Sequence, residues 1–117
     1  MTISQILMLA AFSALLSAGQ ILFKFTAIRI NGLDGAALIK HLISDYYFIS
    51  ALATYGLSTL VWVLILRQVP LSRAYPFASL ALIIVPVASV FFFNETLGIK
   101  YFVGLALVIL GMLVLSS

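Results

Sequence analysis

The chain has 117 residues and a formal net charge of +3, with only 8% charged residues, no cysteine and one histidine. The lack of cysteine excludes disulfide bonds and cysteine-based catalysis, and one histidine leaves too few ligands for a Cys/His metal site. With 65% hydrophobic residues and a mean hydropathy of +1.30, a soluble domain of this length has too little interior to hide the apolar surface. We therefore expect a membrane protein.

Four almost wholly apolar stretches follow one another along the chain, with charged residues only at their ends. They predict transmembrane helices at about residues 2–24, 46–66, 74–94 and 100–116, because an apolar helix of about 20 residues crosses a hydrocarbon core of about 30 Å. The expected fold class is an all-α membrane protein with one four-helix domain, residues 1–117.

The first predicted connection is longer than the other two and contains a candidate surface helix at residues 35–44. Asp34 precedes this segment and is the predicted N-cap. Ile39 and Ile43 belong to its apolar face, whereas Lys40 lies on its polar face, which is the pattern of a helix that lies on the membrane. An irregular loop is the alternative.

Polar residues inside the first three spans repeat at helical spacing. The first span contributes Ser13, Ser17, Gln20 and Lys24, the second Ser50, Thr54 and Ser58, and the third Tyr75, Ser79, Pro86 and Ser89. One interpretation is that these faces meet around a transport pathway. The other is that small hydroxyl residues allow close helix packing, and we favour it for Ser13, Ser50, Thr54 and Ser58.

The fourth span has no polar face and carries Gly104 and Gly111 seven residues apart. Small residues at helical spacing let helix backbones approach closely, so we predict that these two glycines form a dimer contact. Packing within the chain would use the same residues. Because four short helices can hardly enclose a substrate, we expect a homodimer or a heterodimer with a homologous small subunit.

Three motifs resemble the small multidrug resistance transporters, which are four-span proteins. They are Leu22-Phe23-Lys24-Phe25, Pro70-Leu-Ser-Arg-Ala-Tyr75 and Gly104-Leu-Ala-Leu-Val-Ile-Leu-Gly111. The resemblance implies an antiparallel dimer joined through the fourth span. That family depends on a membrane-embedded Glu eight residues before the lysine of the first span, and Leu16 occupies this position. The chain therefore lacks the proton-exchange group at that site.

A closer resemblance lies within the same drug/metabolite transporter superfamily. The chain resembles the small subunits of the flippase for undecaprenyl-phosphate-aminoarabinose in Leu15-Leu16-Ser17-Ala18-Gly19-Gln20, in Val61-Trp62-Val63-Leu64-Ile65-Leu66-Arg67-Gln68-Val69-Pro70 and in Ala74-Tyr75-Pro76. Those subunits also lack the antiporter Glu. The resemblance implies transport of a lipid-linked sugar phosphate across a bacterial inner membrane, without a chemical step, a cofactor or a nucleic-acid partner.

A site for such a substrate needs a cation for the phosphate and hydroxyl or amide groups for the sugar. The predicted substrate-binding residues are Lys24, Arg73, Tyr75, Gln20, Ser17 and Glu95. The two cations lie near span ends, where a charge costs less than the roughly 2.5–3.5 kcal/mol of the bilayer centre. The plainer interpretation is that these cations snorkel to lipid phosphates, that Tyr75 is an interfacial aromatic and that Glu95 pairs with Lys100 or caps a helix.

Two other functions remain open at this stage. A drug or metabolite antiporter needs a titratable group in the pathway, and Glu95 is the only near-embedded candidate. A non-transporting accessory subunit would instead stabilise a partner through its fourth span.

Overall fold

In a computed structural model of the chain, residues 2–116 are described and fold into six α-helices. They are α1 (Ile3–Arg29), α2 (Gly35–Ser44), α3 (Tyr46–Leu66), α4 (Leu71–Ala78), α5 (Ala81–Phe93) and α6 (Ile99–Ser116). Met1 and Ser117, the ends of the expected domain, lie outside the described residues.

The first helix is longer than the sequence predicts. It begins at a capping box in which the Thr2 hydroxyl accepts from the Gln5 backbone N–H at 3.2 Å and the Gln5 side chain accepts from the Thr2 N–H at 3.1 Å. It ends at Arg29, five residues beyond Lys24, since glycine first occurs after this point at Gly32, where φ is +88°. Lys24 therefore lies within a helix rather than in a connection.

The segment after the first span is helical, so the structure favours the helix over the loop. Asp34 occupies the N-cap position of α2, but its side chain makes no capping hydrogen bond, and the prediction of an aspartate cap is wrong. Its backbone is extended, and the following Gly35 has a φ of +59°. Ile39 and Ile43 are 61% and 71% exposed, which leaves α2 with an uncovered apolar face.

The third span is interrupted. Its first part, α4, begins at Leu71, so Arg73 lies in a first helical turn. At Ser79–Leu80 the backbone changes to i→i+3 bonds, in which Leu80 N–H donates to Phe77 O at 3.2 Å and Leu82 N–H donates to Ser79 O at 2.9 Å. The chain does not reverse here, and the continuous stretch Leu71–Phe93 is long and apolar enough to cross a membrane.

The core lies between α1 and the helices α3, α4 and α5. Its buried apolar residues are Leu9, Phe12, Ile65, Val69, Ala74 and Ala78. Ser13 is fully buried and donates to the Ala78 carbonyl oxygen at 3.0 Å, as the packing interpretation predicts. This bond joins α1 to α4 at the point where the third span is interrupted.

The last helix contacts α4 but buries none of its described residues. Within residues 2–116, four stretches have the length and hydropathy of a membrane span: Ile3–Arg29, Tyr46–Leu66, Leu71–Phe93 and Ile99–Ser116. The expected all-α fold with four spans is confirmed.

Candidate functional site: a groove along the first span

An open groove made of three adjoining clefts follows one face of α1. The first, the lysine cleft, has a volume of about 200 Å³ and is lined by Gln20, Lys24, Ser89 and Glu95, with apolar side chains between them. Three of the six predicted binding residues are thus brought together. Lys24 and Glu95 carry opposite charges and, among the described residues, neither makes an ion pair.

Two further clefts continue the groove. The middle cleft, of about 270 Å³, shares Gln20 with the lysine cleft and is otherwise lined mainly by apolar residues such as Leu16 and Pro86. The tyrosine cleft, of about 230 Å³, shares Leu16 with the middle cleft and contains Tyr75 and Trp62. Four of the predicted binding residues therefore line one groove, with Lys24 near one end and Tyr75 near the other.

The position of Glu95 is set by the end of α5. Asn94 adopts the left-handed conformation, with a φ of +52°, and turns the chain back over the last helical turn. The Glu95 N–H then faces the Ser89 carbonyl oxygen at 3.4 Å. Because Ser89 itself lines the lysine cleft, this turn brings Glu95 to the same cleft.

Gln20 is held by a residue that the sequence analysis missed. Its side-chain amide donates to the phenol oxygen of Tyr55 on α3. The Tyr55 ring lies against Gly19 and packs on Phe23 with ring centroids 5.1 Å apart. Tyr55 follows Thr54 of the polar face on the second span, and the glycine directly before Gln20 was the one available signal of a close contact at this level.

Tyr75 belongs to an aromatic group at the other end of the groove. Its ring meets Trp62 edge to face at 6.4 Å, and Trp62 stacks on Phe12 at 4.8 Å. Tyr75 is still 67% exposed, so its remaining surface is free to contact a ligand. Leu16, which stands where small multidrug resistance transporters have their glutamate, lies beside this group in the tyrosine cleft.

The other two predicted binding residues lie outside the groove. Ser17 is buried and its hydroxyl donates to the Ser13 carbonyl oxygen at 2.7 Å. Arg73 is exposed on the first turn of α4 and lines none of the three clefts. The structure therefore gives Ser17 a packing contact and leaves Arg73 near the connection between α3 and α4.

Lys24 and Arg73 lie toward opposite ends of the bundle. The side-chain amide of Gln5 donates to the Gln68 side-chain oxygen at 3.4 Å, which ties the α3–α4 connection to the first turn of α1. From Gln5 to Lys24 a helix rises about 29 Å at 1.5 Å per residue, close to the thickness of a hydrocarbon core. Each end of the groove therefore has a cation at the level of one membrane surface.

A second polar cluster, absent from the sequence predictions, closes the junction of α1, α2 and α3. Asp45 is 2% exposed, accepts from the Tyr47 N–H at 2.8 Å and contacts His41 at 2.8 Å and Arg29 at 3.7 Å. Burial of the carboxylate opposes its ionisation, but the hydrogen bonds from Tyr47 and His41 and the charge of Arg29 outweigh burial and lower the pKa of Asp45.

The predicted dimer contact lies on open surface. A Cβ atom built on Gly104 or Gly111 meets nothing within 4 Å. Gly104 also lines a separate cleft of about 320 Å³ together with Lys100 and Tyr101. The described part of the chain therefore does not use either glycine for its own close helix packing.

The groove offers binding groups rather than reactive ones. The chain has three acidic residues, and all of them, Asp34, Asp45 and Glu95, lie outside the spans. Among residues 2–116 no group of three or more His, Cys, Asp or Glu side chains is placed to hold a metal ion. The arrangement combines a cation, a carboxylate, an amide and a hydroxyl at one end with aromatic surface at the other.

Comparison with known proteins gives curated relatives with consistent names. A protein of Pseudomonas fluorescens named "probable 4-amino-4-deoxy-L-arabinose-phosphoundecaprenol flippase subunit ArnE" is 35% identical over 111 residues, which cover 95% of this chain and 96% of that protein. The ArnE protein of Proteus mirabilis is 37% identical over 71 residues, and an ArnF protein of Pseudomonas fluorescens is 44% identical over 70 residues. These two matches cover 61% and 58% of this chain.

The shorter matches span 63% of the ArnE protein of Proteus mirabilis and 51% of the ArnF protein of Pseudomonas fluorescens. No profile of a protein family matches the chain. No solved structure matches it either. The relative that is matched over almost its whole length confirms the resemblance expected from the motifs. The chain therefore belongs to the family of ArnE and ArnF flippase subunits and is a multi-pass protein of the bacterial inner membrane.

Proposed function

We propose that this chain moves the headgroup of a polyprenyl-phosphate-linked sugar, such as undecaprenyl-phosphate-aminoarabinose, across the inner membrane by alternating access. The observation that carries the proposal is the groove on α1, whose three clefts share Gln20 and Leu16 as common lining residues. The names of the relatives support a flippase role and supply the class of substrate.

The substrate divides into two parts with opposite needs. The polyprenyl tail remains in the lipid, and only the phosphate and sugar have to be shielded from the hydrocarbon. A cleft of about 200 Å³ is smaller than the roughly 300–1,000 Å³ of typical ligand pockets, so it suits a headgroup rather than a whole lipid. The groove is open along its side, which lets the tail stay outside.

In this account Lys24 binds the phosphate at one membrane surface and Arg73 binds it at the other. An arginine fork can bond two phosphate oxygens, whereas a lysine acts as a point charge. Both cations lie where they remain hydrated in the empty protein, so neither needs a buried counter-charge. Between them Gln20 offers a side-chain carbonyl oxygen, while its amide nitrogen is engaged by Tyr55.

The groove fits proton-coupled antiport poorly, although antiport remains the rival transport class. Its central position is Leu16 instead of a carboxylate, so a lipophilic cation would find no counter-charge there. Glu95 lies at the Lys24 end, outside the spans. If Glu95 served antiport, binding of a lipophilic cation would release a proton, and E95Q would abolish that release.

Reconstitution into liposomes tests the proposed function. The chain, alone or with a homologous small subunit, is expected to expose the headgroup of a polyprenyl-phosphate sugar on the opposite leaflet. K24A and R73A should each reduce the rate at least tenfold and still insert into the membrane. K40A is the matched control, because Lys40 is exposed on α2 and lines none of the three clefts. Full activity of both K24A and R73A would contradict the proposal.

One observation favours an additional role as a subunit. The described residues of α6 are all at least partly exposed, and the relatives are named as flippase subunits. We infer that α6 joins the chain to a second small subunit, either another copy or a homologue. Transport by the chain reconstituted alone at a density that excludes dimers would contradict this inference.

A further inference from the structure

The lysine cleft contains two opposite charges that the protein leaves unpaired. Lys24 on α1 and Glu95 after α5 line the same cleft, yet the ion pairs within residues 2–116 involve only Asp45 with Arg29 and with His41. Opposite charges that share a cleft without contact offer two separate binding points to one ligand. A ligand that satisfies both must itself carry a negative and a positive group.

The place of Glu95 in this cleft is built into the backbone. The left-handed Asn94 and the approach of the Glu95 N–H to the Ser89 carbonyl oxygen bring the residue back over the end of α5. A free loop carboxylate would have no such constraint. Gln20 and Ser89 lie between the two charges as neutral hydrogen-bonding groups, which suits the hydroxyl groups of a sugar.

Resting on the proposed function, we infer that Glu95 selects substrates whose sugar carries a protonated amine, while Lys24 binds the phosphate of the same headgroup. Glu95 is thus a specificity-determining residue, and the lysine cleft binds zwitterionic headgroups. A sugar whose amine is acylated keeps the phosphate contact and loses the contact with Glu95. It also leaves the carboxylate next to a neutral group, so the preference for the amine comes from both effects.

The test compares two ligands on the purified full chain in detergent: a polyprenyl phosphate bearing an amino sugar, and the same lipid with its amine acetylated. The unaltered protein should bind the amino lipid about fivefold more tightly, which corresponds to about 1 kcal/mol, the upper range of exposed charge pairs. E95Q should lower this ratio to about one and leave the affinity for the acetylated lipid within twofold. K24Q, the matched control, should weaken both lipids and keep their ratio.

The outcomes separate this inference from the proposed function. Equal affinity of the unaltered protein for the two lipids overturns the inference while leaving a phosphate-binding transporter. A fivefold preference that persists in E95Q also overturns it, since another group would then recognise the amine. If the unaltered protein binds neither lipid, the proposed function fails and the inference fails with it. The ligand comparison on the unaltered protein needs no variant, so it stands even if E95Q folds poorly.

Discussion

The side-chain amide of Gln20 donates a hydrogen bond to the phenol oxygen of Tyr55, and this bond joins α1 to α3 beside the groove. It fixes the amide nitrogen and leaves the carbonyl oxygen of Gln20 for a ligand. The Tyr55 ring is held in turn by Phe23 and by the glycine next to Gln20. One contact between two spans therefore orients a polar group that lines both the lysine cleft and the middle cleft.

Removing only the phenol oxygen tests this contact. Y55F should reduce transport several-fold, because the Gln20 amide loses its anchor, and should destabilise the protein by about 0.5–1.5 kcal/mol. Headgroup translocation and thermal unfolding measure the two effects. Y46F is the control, since Tyr46 is 85% exposed and lines none of the three clefts. If Y55F and Y46F behave alike, Tyr55 does not position Gln20.

The approach of α1 to α3 depends on the absence of a side chain at residue 19. A Cβ atom at Gly19 would lie 2.6 Å from Cδ2 and 2.7 Å from Cε2 of Tyr55. The ring is confined by its neighbours, so G19A should destabilise the protein by about 1–3 kcal/mol. G56A on α3 is the control, because a Cβ there meets nothing within 4 Å and alanine favours a helix. Equal unfolding temperatures for the two variants would show that the helices separate freely.

The buried Asp45 predicts how stability depends on pH. Its pKa is lowered by hydrogen bonds and by Arg29, so the folded protein holds the ionised carboxylate more readily than the unfolded chain does. The resulting stability is complete well above the ordinary value of 3.8 and is lost as the pH falls through that value to the lowered pKa. Thermal unfolding from neutral pH down to about pH 3 should show this loss in the unaltered protein.

D45N should be less stable at neutral pH and should show less of this loss on acidification. The reason is that an amide cannot provide the negative charge that Arg29 and His41 face. D34N is the control, because Asp34 is exposed and its side chain makes no capping hydrogen bond. Equal pH profiles of D45N and the unaltered protein would contradict a stabilising role for the Asp45 carboxylate.

The predicted dimer contact on α6 can be tested without disturbing the protomer. G104L should lower the dimer fraction about tenfold or more while leaving the unfolding temperature of the monomer unchanged, because the added side chain meets no atom of its own chain within 4 Å of its Cβ. Light scattering of the protein in detergent measures the mass. G56L carries the same change on α3. An unchanged dimer fraction in G104L would place the contact elsewhere.

The spans were predictable because hydropathy over about 20 residues reports the need to satisfy every backbone group inside a bilayer. The second span has the predicted bounds, Tyr46–Leu66. The first span was predicted to stop near its lysine, whereas a helix continues through a lysine or an arginine without strain and ends only near Gly32. The interruption at Ser79–Leu80 has no such local signal, because both residues are compatible with a continuous helix.

The groove was only partly predictable. Helical spacing on one span correctly placed Gln20 and Lys24 on one face, but spacing cannot tell which part of that face an adjacent helix covers. Ser17 shares the spacing and is covered. Tyr55 and the Asp45 cluster depend on contacts between distant segments, and a single sequence does not encode such contacts in any local pattern.

The central claim is that the chain binds a lipid-linked sugar phosphate, and ligand-induced thermal stabilisation of the purified protein tests it most directly. Three ligands are compared: a polyprenyl-phosphate sugar, free polyprenyl phosphate and tetraphenylphosphonium. A ligand at a hundredfold excess over its Kd adds about 2.7 kcal/mol of stability when it binds only the folded state. The account predicts the largest stabilisation by the lipid-linked sugar and its loss in K24A. Stabilisation by tetraphenylphosphonium alone would contradict the account and favour a multidrug transporter.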